Sequence, residues 1–226
     1  RGSWSRWSRW TWSSRRIARG RTRPEDEPDG AVHAAQRGGL LAVADHEMPD
    51  VAVGRVDAKA ALRWLHAHAE TYGIHPDHVT VGGGSAGAMI SVALGISNPA
   101  DFRDELSQTA DPTLASTHPT ASAKVATIVD FWGADWLLDS LQGLDGEDRF
   151  DASDPPLLIF HGLEDEAVVY ASAEELVTKY TATGVPYALY PLDAGHSAWN
   201  VKVEGQSLVS LAFDFITATQ GLVVVD

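Results

Sequence analysis

The stretch Val79–Ile90 (VTVGGGSAGAMI) constrains this chain more than any other. A short β-branched run meets a block of glycines, a serine sits among them, and small residues with helical character follow. Gly83-Gly84-Ser85-Ala86-Gly87 satisfies G-x-S-x-G, the pattern of a nucleophile elbow. A serine on so tight a strand-to-helix turn has close neighbours two residues away on both sides. Glycine at Gly83, Gly84 and Gly87 leaves the backbone room and lets the turn push the hydroxyl out at the sheet edge. The first N–H groups of the new helix, beginning at Ala86, then point at any negative charge that develops beside that hydroxyl. Taken alone, the pattern also describes a glycine-rich turn packed tightly for steric reasons. The discriminating feature is whether an acid and a histidine follow in a workable order.

The surrounding chain alternates strand and helix signals. Gly39–Ala44 reads as a buried strand after a short helix over Ala31–Gln36. Asp57–Tyr72 is rich in helix formers and places Ala61, Leu65 and Ala69 on one side, with Gly73 as its C-terminal stop. Val79–Gly82 is a strand and Ala86–Leu94 the helix behind the serine. Asn98–Lys124 is polar and irregular, expected as an excursion over the sheet's carboxyl edge. Val125–Val129 and Pro156–Phe160 are further strands, with a short helix over Trp136–Leu144 between them. Ser172-Ala173-Glu174-Glu175 reads as a capping box opening a helix that ends at Gly184. Tyr187–Pro191 is the last expected strand, and Ser207–Thr219 the closing helix with Leu208, Leu211, Ala212 and Phe215 on one face. This alternation argues for an α/β architecture, a mostly parallel sheet with helices on both faces.

In such a sheet, reactive groups collect at the carboxyl ends of the strands. Three segments deliver them there: Ser85, Asp165 in the loop after one strand, and His196 after the last. A neutral serine hydroxyl is a poor nucleophile until a histidine accepts its proton, and an acid on the far imidazole nitrogen holds the tautomer. Other carboxyls compete for the acid's place: Glu164 and Glu166 flank Asp165, Asp193 precedes the histidine, and Asp130 ends a strand. His161 begins the same loop as Asp165 and reads as a structural histidine at a strand end. His66 and His68 are two apart, do not share a helix face, and read as surface residues rather than metal ligands. Trp132 and Trp199 are candidates for the wall of an acyl or alcohol pocket, with plain packing the competing reading.

With these motifs in order, the chain from about Val56 onward resembles the α/β-hydrolase superfamily. It is most similar to bacterial carboxylesterases and lipases of the hormone-sensitive-lipase-like and related small esterase groups. The segments that carry the resemblance are DAKAALRWLHAHAETYGIHPDHVTVGGGSAGA, PPLLIFHGLEDEAV and DAGHSAW. The resemblance implies a serine hydrolase of carboxylic esters that works through an acyl-enzyme, with Ser85 as nucleophile, Asp165 as acid, His196 as base and the Ala86 N–H as an oxyanion donor. It implies no metal and no cofactor, and a small-molecule ester as substrate. Peptides or lactones are the alternative substrates on the same fold. The resemblance also implies an upstream His-Gly-Gly-Gly loop supplying a second oxyanion donor. No such motif is present; Arg37-Gly38-Gly39 holds the sole glycine pair ahead of the elbow. Because losing one such donor typically lowers turnover by about 10²–10³, a truncated, inactive hydrolase acting as a binding or structural remnant is the second reading.

Composition narrows the partners. The net charge of −14 conceals an asymmetry: residues 1–23 carry eight arginines and no acid, leaving nine basic against 31 acidic residues in the rest. That acidic body repels nucleic acid and anionic membranes and favours neutral substrates. The Arg/Trp-rich residues 1–23 could by themselves form a nucleic-acid arm. The expectation favoured here is a disordered or non-native segment, joined by a linker (residues 24–30) to one hydrolase domain over 31–226. There is no cysteine, no signal-peptide h-region and no apolar run near the roughly 18 residues of a membrane span, so a cytoplasmic location is expected. Oligomeric state is left open.

Overall fold

The computed structural model describes residues 40–42, 51–103, 109, 112 and 118–224, with residues 40–42 and 51–54 described by their backbone alone. The readings for residues 1–39, and for 43 and 44 of the first strand, lie outside the described residues. Among the described residues, five parallel strands form the main sheet: β1 (Leu40–Ala42), β2 (Thr80–Gly84), β3 (Thr127–Phe131), β4 (Leu157–Gly162) and β5 (Tyr187–Leu192). They lie side by side in chain order, β1-β2-β3-β4-β5. Helices α1 (Val51–Ala67) and α2 (Ala69–Tyr72) lead into β2, α3 (Ala86–Ile96) follows it, and α4 (Trp136–Asp145) and α5 (Ala171–Thr183) make the next two crossings. A two-stranded hairpin, β6 (Lys202–Val203) with β7 (Gln206–Ser207), precedes the closing helix α6 (Leu208–Thr219).

Strand order decides where the helices go. Parallel crossovers are right-handed. When each new strand is added on the same side of the last, every crossover helix therefore falls on one face of the sheet. The side chains record this. Ile128, Leu157 and Ile159 point into one core with Leu62 and Leu65 of α1, Met89 and Val92 of α3, Leu137 of α4, and Leu176 and Tyr180 of α5. The alternate residues Val129, Phe131, Leu158 and Phe160 point into a second core, closed by Leu208 and Ala212 of α6. Helices thus cover both faces, as expected. On the second face, Gln220 donates to Thr80 Oγ1 (2.8 Å) and Thr127 Oγ1 (3.0 Å), so the end of α6 is tied to polar positions on β2 and β3.

Several element boundaries differ from the sequence reading. The first long helix begins at Val51, not Asp57, and is interrupted at His68, whose imidazole Nδ1 adds a second hydrogen bond (2.8 Å) to the Trp64 carbonyl. Gly73 does stop it, in the left-handed region at φ 66°. β2 runs to Gly84 rather than Gly82, because pairing Gly83 with Asp130 and Gly84 with Phe131 holds the glycines extended. The capping box at Ser172 does not form: α5 starts at Ala171, and Ser172 is buried in its first turn with its N–H on the Val169 carbonyl. Ser207 does cap α6, accepting from the Ser210 N–H at 3.1 Å. The hairpin was not anticipated: Glu204 and Gly205, both at positive φ, make its two-residue turn, and of the pair only glycine is a residue that such a turn favours. The described ends of the 98–124 segment lie at the amino edge of the sheet, not the carboxyl edge, since α3 has carried the chain back there and the Ala126 N–H bonds to the Val79 carbonyl.

At that amino edge, buried Arg149 ties the segment after α3 to the end of α4, bonding Asp101 (3.1 and 3.2 Å) and Asp145 (2.7 Å). Replacing one partner of such a group leaves a buried charge uncompensated. Asp101→Ala, which leaves the buried Arg149 guanidinium short of one of its two carboxylates, is therefore expected to lower unfolding stability by about 2 kcal/mol, measured by urea denaturation at neutral pH.

Candidate active site

The elbow is built by a close approach of two backbones. A Cβ placed on Gly83 would lie 2.6 Å from the Gly87 carbonyl carbon, so neither strand nor helix can move apart to admit one without breaking the turn. Between them Ser85 takes φ 53°, ψ −118°, a conformation that costs a non-glycine residue on the order of 1–3 kcal/mol. Its backbone is satisfied: its N–H donates to the Phe131 carbonyl (2.9 Å), and its carbonyl accepts from Ala88 (3.0 Å) and Met89 (3.1 Å). The side chain makes no capping bond to α3. The Ser85 hydroxyl instead meets His196 Nε2 at 2.9 Å, and His196 Nδ1 meets Asp165 Oδ2 at 2.7 Å. Ala86 opens α3, and the N–H of a first helical residue has no partner within its own helix.

Asp165 is held from behind. Its Oδ1 accepts the N–H groups of Ala167 and Val168, both at 2.9 Å, and its side chain is fully buried. Burial by itself would raise this carboxyl. The His196 hydrogen bond and the N–H groups of Val168 and Ala167 together outweigh it and hold the group below its ordinary range. His161, also fully buried, donates from Nε2 to the Val168 carbonyl at 2.8 Å, and burial is the chief reason it titrates below the ordinary histidine value.

His196 arrives on a loop stitched to the loop that carries Asp165. Leu163 N–H bonds to the Leu192 carbonyl (2.8 Å) and Glu164 N–H to the Ala194 carbonyl (3.0 Å). Gly162 makes this possible, since a Cβ there would lie 2.4 Å from the Ala194 oxygen and 2.5 Å from that of Gly195. The sequence reading passed over Gly162, and no signal for that contact lies in the letters around it.

The competing carboxyls are placed elsewhere. Glu164, Glu166 and Asp193 are exposed. Asp130 is wholly buried at the end of β3, where its Oδ1 accepts from the Gly133 N–H at 2.6 Å and its Oδ2 has no partner among the described residues. Burial, with a smaller contribution from Asp135, raises the Asp130 carboxyl to about 7. Trp132 and Trp199 meet edge to face at 4.5 Å, and both lie against Gly84. Trp132 is 1% exposed and Trp199 47% exposed. His66 bonds outward to the Lys124 carbonyl and His68 stacks on Trp64. Among the described residues, Asp135, Asp139 and Glu175 have carboxylates close enough to share a cation. Lys179 Nζ already contacts all three, Asp139 at 2.8 Å and Glu175 at 3.2 Å, and so supplies that cation itself.

This geometry can be set beside known proteins. The family model described as BD-FAE matches residues 43–149, from the segment after β1 through α4, with Ser85 inside the matched span. Para-nitrobenzyl esterase of Bacillus subtilis is 27% identical over 146 residues, 59% of this chain and 30% of that protein; the chain thus spans less than a third of that relative's length. Among solved structures, the thermophilic esterase Est2 of Thermogutta terrifontis, with propionate bound, is 22% identical over 83% of this chain and 75% of its own, with a TM-score of 0.61. The same esterase phosphorylated by paraoxon gives 23% and a TM-score of 0.61 over 83% and 74%. A truncated carbohydrate esterase from gut microbiota gives 20% and 0.58 over 74% and 68%. The fold is that of the α/β-hydrolases. Within that class, the matches are to esterases.

Two expectations follow. Gly162→Ala forces the 194–195 backbone outward and carries His196 with it, so the rate at which a fluorophosphonate probe labels Ser85 is expected to fall by about 10²-fold, while the fold survives by circular dichroism. For Asp130, a folded-state pKa raised to about 7 means the native state binds a proton that the unfolded chain has released. Stability contributed by that proton is present below about pH 4 and lost as pH rises towards 7. Asp130→Asn keeps the acceptor for Gly133 without the charge. It is expected to raise the thermal midpoint at pH 8 relative to wild type and to change it little at pH 4.

Proposed function

We propose that this chain is a serine hydrolase of small carboxylic esters with short to medium acyl groups. The observation that carries the proposal is the continuous hydrogen-bonded line from Ser85 through His196 to Asp165, starting on a strained elbow serine whose hydroxyl makes no capping bond to α3. In this reading His196 Nε2 takes the Ser85 proton as Oγ attacks the ester carbonyl carbon. The oxygen of the tetrahedral intermediate takes up the negative charge, and the Ala86 N–H donates to it. Collapse of the intermediate breaks the bond to the alcohol oxygen, which receives the proton from His196, and an acyl-Ser85 remains. Water, deprotonated by the same histidine, then attacks the acyl carbon; the bond to Ser85 Oγ breaks, that oxygen takes the proton back from His196, and the acid is released. Asp165, held ionised, fixes the Nδ1–H tautomer and offsets the imidazolium charge.

The names of the similar proteins support the ester as substrate, and the Thermogutta terrifontis esterase structures carrying propionate and butyrate support short acyl groups. Exposure favours Trp199 as the aromatic that bounds the substrate, with Trp132 bracing it from beneath. An acidic surface favours neutral esters over anionic ones. The intact Ser85–His196–Asp165 line speaks against an inactive remnant. Among the described residues, no helix is long and apolar enough to cross a membrane.

The test is a p-nitrophenyl ester series from acetate to laurate, together with labelling by a fluorophosphonate probe. Wild-type protein is expected to take one label per chain and to turn over acetate to butyrate fastest. Ser85→Ala is expected to lose labelling and at least about 10³-fold in kcat. Folded wild-type protein that neither labels nor hydrolyses any member of the series would sink the proposal.

A further inference from the structure

His161 takes no part in the line from Ser85 to Asp165, yet it lies directly behind it. It is the penultimate residue of β4, fully buried, with Nε2 2.8 Å from the Val168 carbonyl and 3.7 Å from Asp165 Oδ2. The only proton of a neutral imidazole must then sit on Nε2, because a carbonyl can only accept. Nδ1 is buried with no partner among the described residues. The titratable groups facing this ring are Asp165 and His196, with the Tyr170 ring edge-on at 5.9 Å. Val168 is thus gripped twice: its carbonyl by His161, and its N–H by Asp165 Oδ1 at 2.9 Å.

We propose that His161 is a positioning residue for the ester hydrolysis assigned above, on which this inference rests. Its Nε2–H fixes Val168, Val168 fixes one oxygen of Asp165, and the other oxygen is thereby presented to His196 Nδ1. A ring that merely fills space behind the acid would be replaced adequately by an apolar side chain of similar volume. A ring that acts through its Nε2–H would be replaced by glutamine, whose amide nitrogen reaches about as far as Nε2. It would not be replaced by leucine or by the shorter asparagine.

The experiment compares His161→Gln, His161→Leu and His161→Asn with wild type in full-length protein. Two readouts are taken: steady-state kinetics on p-nitrophenyl butyrate, and the low-field proton resonance of the His196 Nδ1–H, assigned by its loss in His196→Ala. His161→Leu is expected to lose about 10–100-fold in kcat, the loss seen when a residue that orients a metal-bound side chain from behind is removed, with KM within about twofold. Its Nδ1–H resonance is expected to move upfield or broaden by exchange. His161→Gln is expected to recover most of kcat and the resonance. Wild-type kcat and resonance in His161→Leu, or a glutamine variant as impaired as the leucine one, overturns the proposal. Should the leucine variant not fold, equal behaviour of the Gln and Asn variants overturns it, and a clear advantage of Gln upholds it. The resonance needs no turnover. A wild-type protein that shows it, but neither hydrolyses esters nor takes the fluorophosphonate label, would defeat the hydrolase reading while the effect of His161 on Asp165 is still read.

Discussion

The near-contact of Gly83 and Gly87 sets the geometry on which the rest of this molecule depends. With 2.6 Å between the position of a Cβ on Gly83 and the Gly87 carbonyl carbon, strand β2 must turn into α3 within one residue, and that residue is Ser85. The turn does three things at once. It holds Ser85 in a costly backbone conformation, it directs the hydroxyl away from its own helix, and it aims the start of α3 at the space beside that hydroxyl. The strain is held by β3, whose Phe131 carbonyl takes the Ser85 N–H, and by α3, whose first turn takes the Ser85 carbonyl. A serine with its backbone so completely engaged has only its side chain left to offer.

The second constraint comes from the handedness of the sheet. Strands added in chain order to one side put α1 to α5 on a single face, leaving the opposite face of β3 and β4 to α6 and the loop that carries His196. The loops after β4 and β5 are therefore neighbours at the carboxyl edge, and the backbone bonds from Leu163 and Glu164 to Leu192 and Ala194 join them. Asp165 and His196, 31 residues apart in sequence, come together because parallel neighbours β4 and β5 pair in full from Leu157–Tyr187 to Gly162–Leu192.

What was legible in the sequence was local. The elbow, the stop at Gly73 and the apolar strands before Asp165 and His196 each depend on residues close in the chain, and the order serine, acid, histidine is read directly along it. What was hidden depends on contacts the sequence does not carry. Gly83 and Gly84 read as turn because glycine resists strand structure in isolation, yet pairing with Asp130 and Phe131 makes them strand. Ser172 with Glu175 has the letters of a cap, but the preceding residues already follow a helical path, with Tyr170 at φ −53°, ψ −29°. Nothing in the letters around Gly162 marks it out, because its significance lies in two carbonyl oxygens from a loop about 30 residues away.

The choice among acids shows the same limit most sharply. Asp130 and Asp165 both end or follow apolar strands at the same sheet edge, and both are buried, so burial cannot separate them. The difference is the number of N–H groups that converge on each. Asp165 receives three, from Ala167, Val168 and His196, and its carboxyl is held below the ordinary range despite desolvation. Asp130 receives one, from Gly133, with Asp135 nearby of the same sign, and desolvation prevails, raising it to about 7. A buried carboxylate can stabilise a neighbouring imidazolium only if it stays charged itself. The turn at 165–168 therefore does more than place an oxygen near His196: its backbone donors are what let that carboxyl be buried and ionised together, as a partner for an imidazolium requires. Asp130, with one donor, can serve the fold as a protonated acid or the turn at Gly133 as an acceptor, but it is not arranged to balance a histidine's charge.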